Sequence, residues 1–234
     1  MNIVVIIQTR MNSQRLPGKT LLKINGKTII EHVVERVAKA QGVDNIIVAT
    51  STAASDDQLA EHLHQKKIAC FRGNENDVLE RYYLAAKHYN ADIIIRVCGD
   101  QPLVDPLAIE MTLQNWAENT FTYCKHEQGW PDGTGCEIFS FSLLEKAQQL
   151  CTDPFEREHI KPFFLNNKYK FKIKTVDAPS DIHSPASHLA VDTAEDFKRI
   201  SVLLEPFKNG DFIELKEILK RIKSDHQKIL NHPL

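Results

Sequence analysis

Four short runs rich in isoleucine and valine, at residues 3–7, 45–49, 68–71 and 92–97, alternate with helix-spaced stretches at 28–40, 56–66 and 78–88. Runs of this length without polar alternation read as strands buried on both faces. Strand and helix repeating at this pitch leave few folds open. The expectation is an α/β, Rossmann-like, mostly parallel sheet with right-handed crossovers. In such sheets ligands sit outside the carboxyl ends of the strands, near the point where strand order reverses. Residues 9–19 and 98–102 fall at two such ends and should share one edge.

The second half is less regular. Residues 121–124 and 137–139 read as strands flanking the loop QGWPDGTG at 128–135, and 169–176 alternates like a third. Residues 141–149, 154–165, 194–204 and 211–223 show helical spacing. With no repeat, low-complexity tract or linker, the 234 residues read as one domain, 1–234, elaborated after about residue 120.

Formal net charge is -2 and the isoelectric point about 6.6, so no global basic field points to nucleic acid or an anionic membrane. The five cysteines are widely spaced without a CxxC pair, which argues against a disulfide framework or a structural zinc site. The first apolar run is too short for a signal peptide and leads straight into arginines, and no stretch approaches a membrane span. A soluble, cytoplasmic protein is the expectation.

Against that neutral background the first loop stands out. TRMNSQRLPGK places Arg10, Arg15 and Lys19 within ten residues of a buried first strand. Guanidinium forks, a point-charge lysine and the N–H groups of a Pro17–Gly18 turn suit a polyanion such as a phosphate chain. Ser13 stands where a Walker A loop needs its first glycine, and no GxGxxG turn is present. Asp100, in VCGDQP, follows a buried strand and a glycine. It is either a turn residue or a hard oxygen ligand for Mg²⁺. Asp192, in VDTAEDF, is either a second metal carboxylate or part of the cap of the helix that Thr193 starts. Asp77 is placed to cap the helix at 78–88. The segment DPFEREHIK reads as a solvated helix face, from which Arg157, His159 and Lys161 could also meet a carboxylated substrate.

Taken together, IIQTRMNSQRLPGKTLLKINGKTIIEHVVERV, GNENDVLERYYLAAKHYNADIIIRVCGDQPLVD, the PDG…E segment, DPFEREHIKPFF and VDTAEDF resemble the nucleotide-sugar cytidylyltransferases. The similarity is to the SpsF-like, spore coat polysaccharide branch, related to the enzymes that activate KDO and acylneuraminates with CTP. It extends to about Phe197. The resemblance implies the nucleotide-diphospho-sugar transferase type of fold. It assigns residues 1–120 to the nucleotide, 121–190 to the acceptor and a homodimer contact, and 191–234 to the late aspartate and C-terminal helices. It implies that Arg10, Ser13, Arg15 and Lys19 hold the CTP triphosphate, with Asp77 and Arg81 as further nucleotide contacts. Asp100 and Asp192 would coordinate Mg²⁺. The partners implied are CTP and a small acidic sugar, and the product a CMP-sugar and pyrophosphate for glycan synthesis. Arg15, Lys19 and Asp100 are the expected catalytic groups. Gln101 departs from the glutamate that follows the metal aspartate in the KDO enzymes. For the acceptor, Lys125, His126, Arg157 and Lys161 are available cations, and Trp130 a stacking surface. A glycosyltransferase of the same fold is the alternative, although Asp100-Gln101-Pro102 supplies no DxD, as is a non-catalytic nucleotide-binding protein.

Overall fold

In the computed structural model, which describes residues 1–207 and 212–231, nine strands and nine α-helices are seen among the described residues. In chain order they are β1 (Ile3–Gln8), β2 (Lys23–Ile24), β3 (Lys27–Thr28), α1 (Ile29–Val37), β4 (Asn45–Ser51), α2 (Asp57–Gln65), β5 (Cys70–Gly73), α3 (Val78–His88) and β6 (Ile93–Cys98). Then follow α4 (Pro106–Asn115), β7 (Thr120–Cys124), β8 (Glu137–Ser140), α5 (Phe141–Leu150), α6 (Pro154–His159), α7 (Lys161–Asn166), β9 (Lys172–Val176), α8 (Ala194–Leu204) and α9 (Leu215–Asn231).

Seven strands form one sheet in the order β5-β4-β1-β6-β8-β7-β9, in which only β8 pairs antiparallel with its neighbours. The chain lays β4 and β5 on one side of β1, then returns to place β6 on the other. β1 is therefore the reversal point, and its carboxyl end beside that of β6 is where such a sheet leaves a crevice.

Side-chain alternation explains the three layers. Val5 and Ile7 of β1 face α1, α2, α4, α8 and α9, while Val4 and Ile6 face α3, α5 and α7. All four are fully buried, so the strand reads as a continuous apolar run. Among the described residues no helix is long and apolar enough to cross a membrane.

Several expectations need correction. Residues 154–165 do not form one helix. Pro162 lacks the N–H that would bond the carbonyl of Glu158, and the chain breaks at Ile160 into α6 and α7. Helix α4 has no counterpart in the sequence reading, although Asp105 caps it and Pro106 opens it. Its apolar residues surround the axis, with Ala108 and Ile109 buried and Leu107 exposed, which blurs the helical period. The hairpin β2–β3 was also not foreseen. Asn25 and Gly26 turn it with φ of 51° and 83°, the conformation Asn-Gly adopts readily. The last helix, expected from Asp211, begins at Leu215, and Asp211 itself lies outside the described residues.

Thr193 does cap α8, in a reciprocal box with Asp196. Burial pushes the Asp196 carboxyl up, but hydrogen bonds from the Thr193 hydroxyl and the N–H groups of Thr193 and Asp192 outweigh it. The result is a pKa of about 2. A carboxyl held below its unfolded value stabilises the fold above about pH 4 and stops doing so as pH falls toward 2. Asp196→Asn should therefore cost about 1–2 kcal/mol at pH 7. In urea unfolding, the gap to wild type should close between about pH 4 and pH 2.

Candidate active site

Contact between the first loop and the β6 loop begins in the backbone. The Gly99 N–H donates to the Gln8 carbonyl at 2.8 Å. A Cβ on Gly99 would lie 2.5 Å from the Thr9 Cβ, so the two loops meet this closely only because residue 99 is glycine. The first loop then folds on itself. Gly18, at φ 73°, donates to the Met11 carbonyl and starts the short turn of 3₁₀ helix Lys19–Leu21. Asp56, fully buried after β4, anchors the loop by accepting from the Met11 N–H at 2.7 Å and from Thr50 and Ser51. Burial raises the pKa of this carboxyl, yet the hydrogen bonds from Ser51, Met11 and Thr50 hold it below the ordinary range. Asp56 thus supplies a fixed acceptor that sequence spacing gave no reason to expect.

This scaffold aims Lys19 at both candidate metal carboxylates. Its largely buried ammonium donates to Asp100 Oδ2 at 2.8 Å, to Asp192 Oδ1 at 3.1 Å and to the Val191 carbonyl at 2.8 Å. The Val191 N–H in turn donates to the Asp100 carbonyl at 2.8 Å, which joins the two aspartate loops. Arg15 reaches Asp192 Oδ1 at 2.9 Å from a more exposed position. The sequence left Asp192 between cap and ligand. The structure gives the cap to Thr193 and Asp196 and leaves the Asp192 carboxylate beside Lys19 and Arg15.

A cavity of about 530 Å³ opens here, lined by Arg10, Ser13, Arg15, Lys19, Arg81, Asp100 and Asp192. Seven of the eight site residues expected from the sequence thus face one space. Asp77 is the exception. Its Oδ1 accepts from the Glu80 N–H as the cap of α3, and its Oδ2 is ion-paired with Arg157 at 2.7 Å. Arg81 is 1% exposed and holds the Asn74 carbonyl at 2.6 Å, while its Nε has no partner. Burial lowers the pKa of this guanidinium. Arg10 pairs with Glu158 at 2.7 Å, a contact between residues 148 apart that leaves no mark in local residue pattern.

Among the described residues no group of three or more His, Cys, Asp or Glu is arranged to hold a metal. The donor set offered is two carboxylates. That suits a hard cation of the Mg²⁺ type, which takes one or two protein carboxylates and fills its shell with water and phosphate oxygens. Burial pushes the pKa of the nearby Cys98 thiol up to about 12.

A second, smaller cavity of about 190 Å³ lies on the other side of the β6 end and shares Cys98 with the first. Its walls include Gln101, His126, Lys161 and the buried pair Arg96–Glu137 at 2.8 Å. Burial disfavours the Arg96 charge, but Glu137 more than compensates and raises its pKa. Lys161 lies over the Tyr123 ring at 4.2 Å and has no ion-paired carboxylate among the described residues. Two acceptor-side candidates make other contacts. Trp130 is 1% exposed with its indole N–H donated to the Val176 carbonyl, so its ring belongs to the wall. Arg157 is spent on Asp77, Gln148 and the Cys151 carbonyl. A roomier cavity of about 690 Å³ lies behind α1, but it is away from the strand ends and brings no pair of carboxylates together.

Residues 4–229 match the model of a family described as cytidylyltransferase. A cytidylyltransferase from Leptospira borgpetersenii serovar Hardjo-bovis superposes with a TM-score of 0.89 at 32% identity, over 100% of this chain and 99% of that one. The spore coat polysaccharide biosynthesis protein SpsF of Bacillus subtilis is 30% identical over 226 residues, 93% of this chain and 92% of its own length. An 8-amino-3,8-dideoxy-manno-octulosonate cytidylyltransferase of Shewanella baltica is 31% identical over 178 residues, 72% of this chain and 63% of that enzyme. The chain belongs to the cytidylyltransferase family.

Proposed function

We propose that the protein transfers a cytidylyl group from CTP to a small acidic sugar, giving a CMP-sugar and pyrophosphate for glycan synthesis. The observation that carries this reading is the meeting, at one sheet edge, of Arg10, Arg15, Lys19 and Arg81 with Asp100 and Asp192. The cations suit a triphosphate and the carboxylates suit the cation that accompanies it. The acidic acceptor is supported by the Shewanella relative, named for an octulosonate, and by Lys161 in the adjoining cavity. Mg²⁺ as the metal and a homodimer as the assembly are further parts of this proposal.

In the reaction a sugar hydroxyl oxygen bonds to the α-phosphorus of CTP, its proton passing to solvent, while the bond from that phosphorus to the bridging oxygen breaks, releasing pyrophosphate. Negative charge grows on the non-bridging and leaving oxygens, so positioning and electrostatics are what the protein has to supply. Lys19 and Arg15 lie beside Asp192 and can exchange that carboxylate for phosphate oxygens, which frees Asp100 and Asp192 as ligands. Mg²⁺ held there would neutralise phosphate charge. Ser13 and the first loop contact the triphosphate from the other wall, and Arg81 fixes the 74–75 backbone beside the nucleotide. The acceptor enters from the smaller cavity, with Lys161 and His126 toward its carboxylate.

Pyrophosphate release from CTP should appear with a sugar acid such as 3-deoxy-manno-octulosonate or a neuraminate, should vanish on chelation and should return with Mg²⁺. Asp100→Ala should lower kcat by about 10²-fold or more, and normal turnover by that variant would refute the site. Lys19→Met should both raise the KM for CTP and lower kcat. It should also reduce thermal stability, because it leaves Asp100 and Asp192 facing each other without their shared cation.

A further inference from the structure

Residues 158–161 touch both cavities. Glu158 and His159, at the end of α6, line the larger one, and Lys161, at the start of α7, lines the smaller. Between them Ile160 is fully buried with φ 57° and ψ −57°. A β-branched residue in that region is strained and stays there only while its surroundings hold it. The flanks are anchored. Arg157 ties α6 to Asp77 and to the Cys151 carbonyl, and Phe163 and Phe164 of α7 are buried in the core. The short stretch from Glu158 to Lys161 lies between these anchors.

Glu158 has the wrong charge for a wall of a triphosphate cavity. Its carboxylate occupies Arg10, at 2.7 Å, in the way a phosphate oxygen would. The pair is a third or more exposed on both sides, so its attraction is modest and several phosphate charges outcompete it. We propose that Glu158 is a positioning residue that stands in for phosphate. It occupies Arg10 in the nucleotide-free protein, CTP displaces it, and the release loosens the Ile160 joint next to Lys161, so that nucleotide binding prepares the acceptor cavity. The inference rests on the CTP reading given above.

Calorimetric titration with CTP and Mg²⁺, together with amide hydrogen exchange, tests it without knowledge of the acceptor. Glu158→Gln and Glu158→Ala should each bind CTP about fivefold more tightly than wild type, since the competing carboxylate is gone. In wild type, the amides of Ile160 and Phe163, bonded to the Glu156 and Ile160 carbonyls, should exchange faster once CTP is added. In Glu158→Gln they should already do so without nucleotide. Unchanged or weaker CTP binding by both variants, or wild-type exchange indifferent to CTP, would overturn the proposal and leave Glu158 a plain tether. A wild-type protein that binds no CTP would instead overturn the functional reading, and this inference with it.

Discussion

One ammonium group organises the site. Lys19 is the shared neighbour of Asp100, Asp192 and the Val191 carbonyl, which come from parts of the chain more than 80 residues away. Two carboxylates facing the same small space repel. Lys19 between them offsets that repulsion. The same contact holds the lysine aimed into the cavity. A lysine in solvent would contribute far less, because water screens what this largely buried position preserves.

The lysine is effective only because the backbone around it is rigid. Gly99 lets the β6 loop lie against Thr9, and Asp56 holds the Met11 N–H from beneath. The Thr9 and Thr20 hydroxyls meet at 2.7 Å, joining the start of the loop to its end. Phosphate-binding cations on a loop without such ties would lose entropy on every binding event. The β1 reversal supplies the place, and these hydrogen bonds supply the precision.

Acceptor selection follows from a different set of contacts. The two cavities share only Cys98, at the end of β6, and under the proposed function the reacting oxygens would meet there. Of the cations available in the second half, tertiary structure consumes Arg157 in fixing α6 to α3 and leaves Lys161 in the cavity wall. The break at Ile160 places these two residues of one charged segment in such different roles.

The alternation of short Ile- and Val-rich runs with helical spacing was enough to read a parallel α/β sheet and its ligand edge, because buried strands and amphipathic helices write their burial into residue periodicity. Helix α4, apolar on several sides, escaped that signal, and so did the division of α6 from α7, where a proline and one left-handed residue overrode good helical spacing. The cations of the first loop and Asp100 were legible as neighbours on one sheet edge because each follows a buried strand directly. What the sequence by itself determined was therefore the layer architecture and the chemical character of that edge. Only the tertiary structure decided which charges meet: Asp192 with Lys19, Asp77 with Arg157 instead of the cavity, Glu158 with Arg10, and Asp56 beneath the loop. Pairings across tens of residues leave no periodic trace, since they depend on how the chain crosses over, and local residue pattern does not record that.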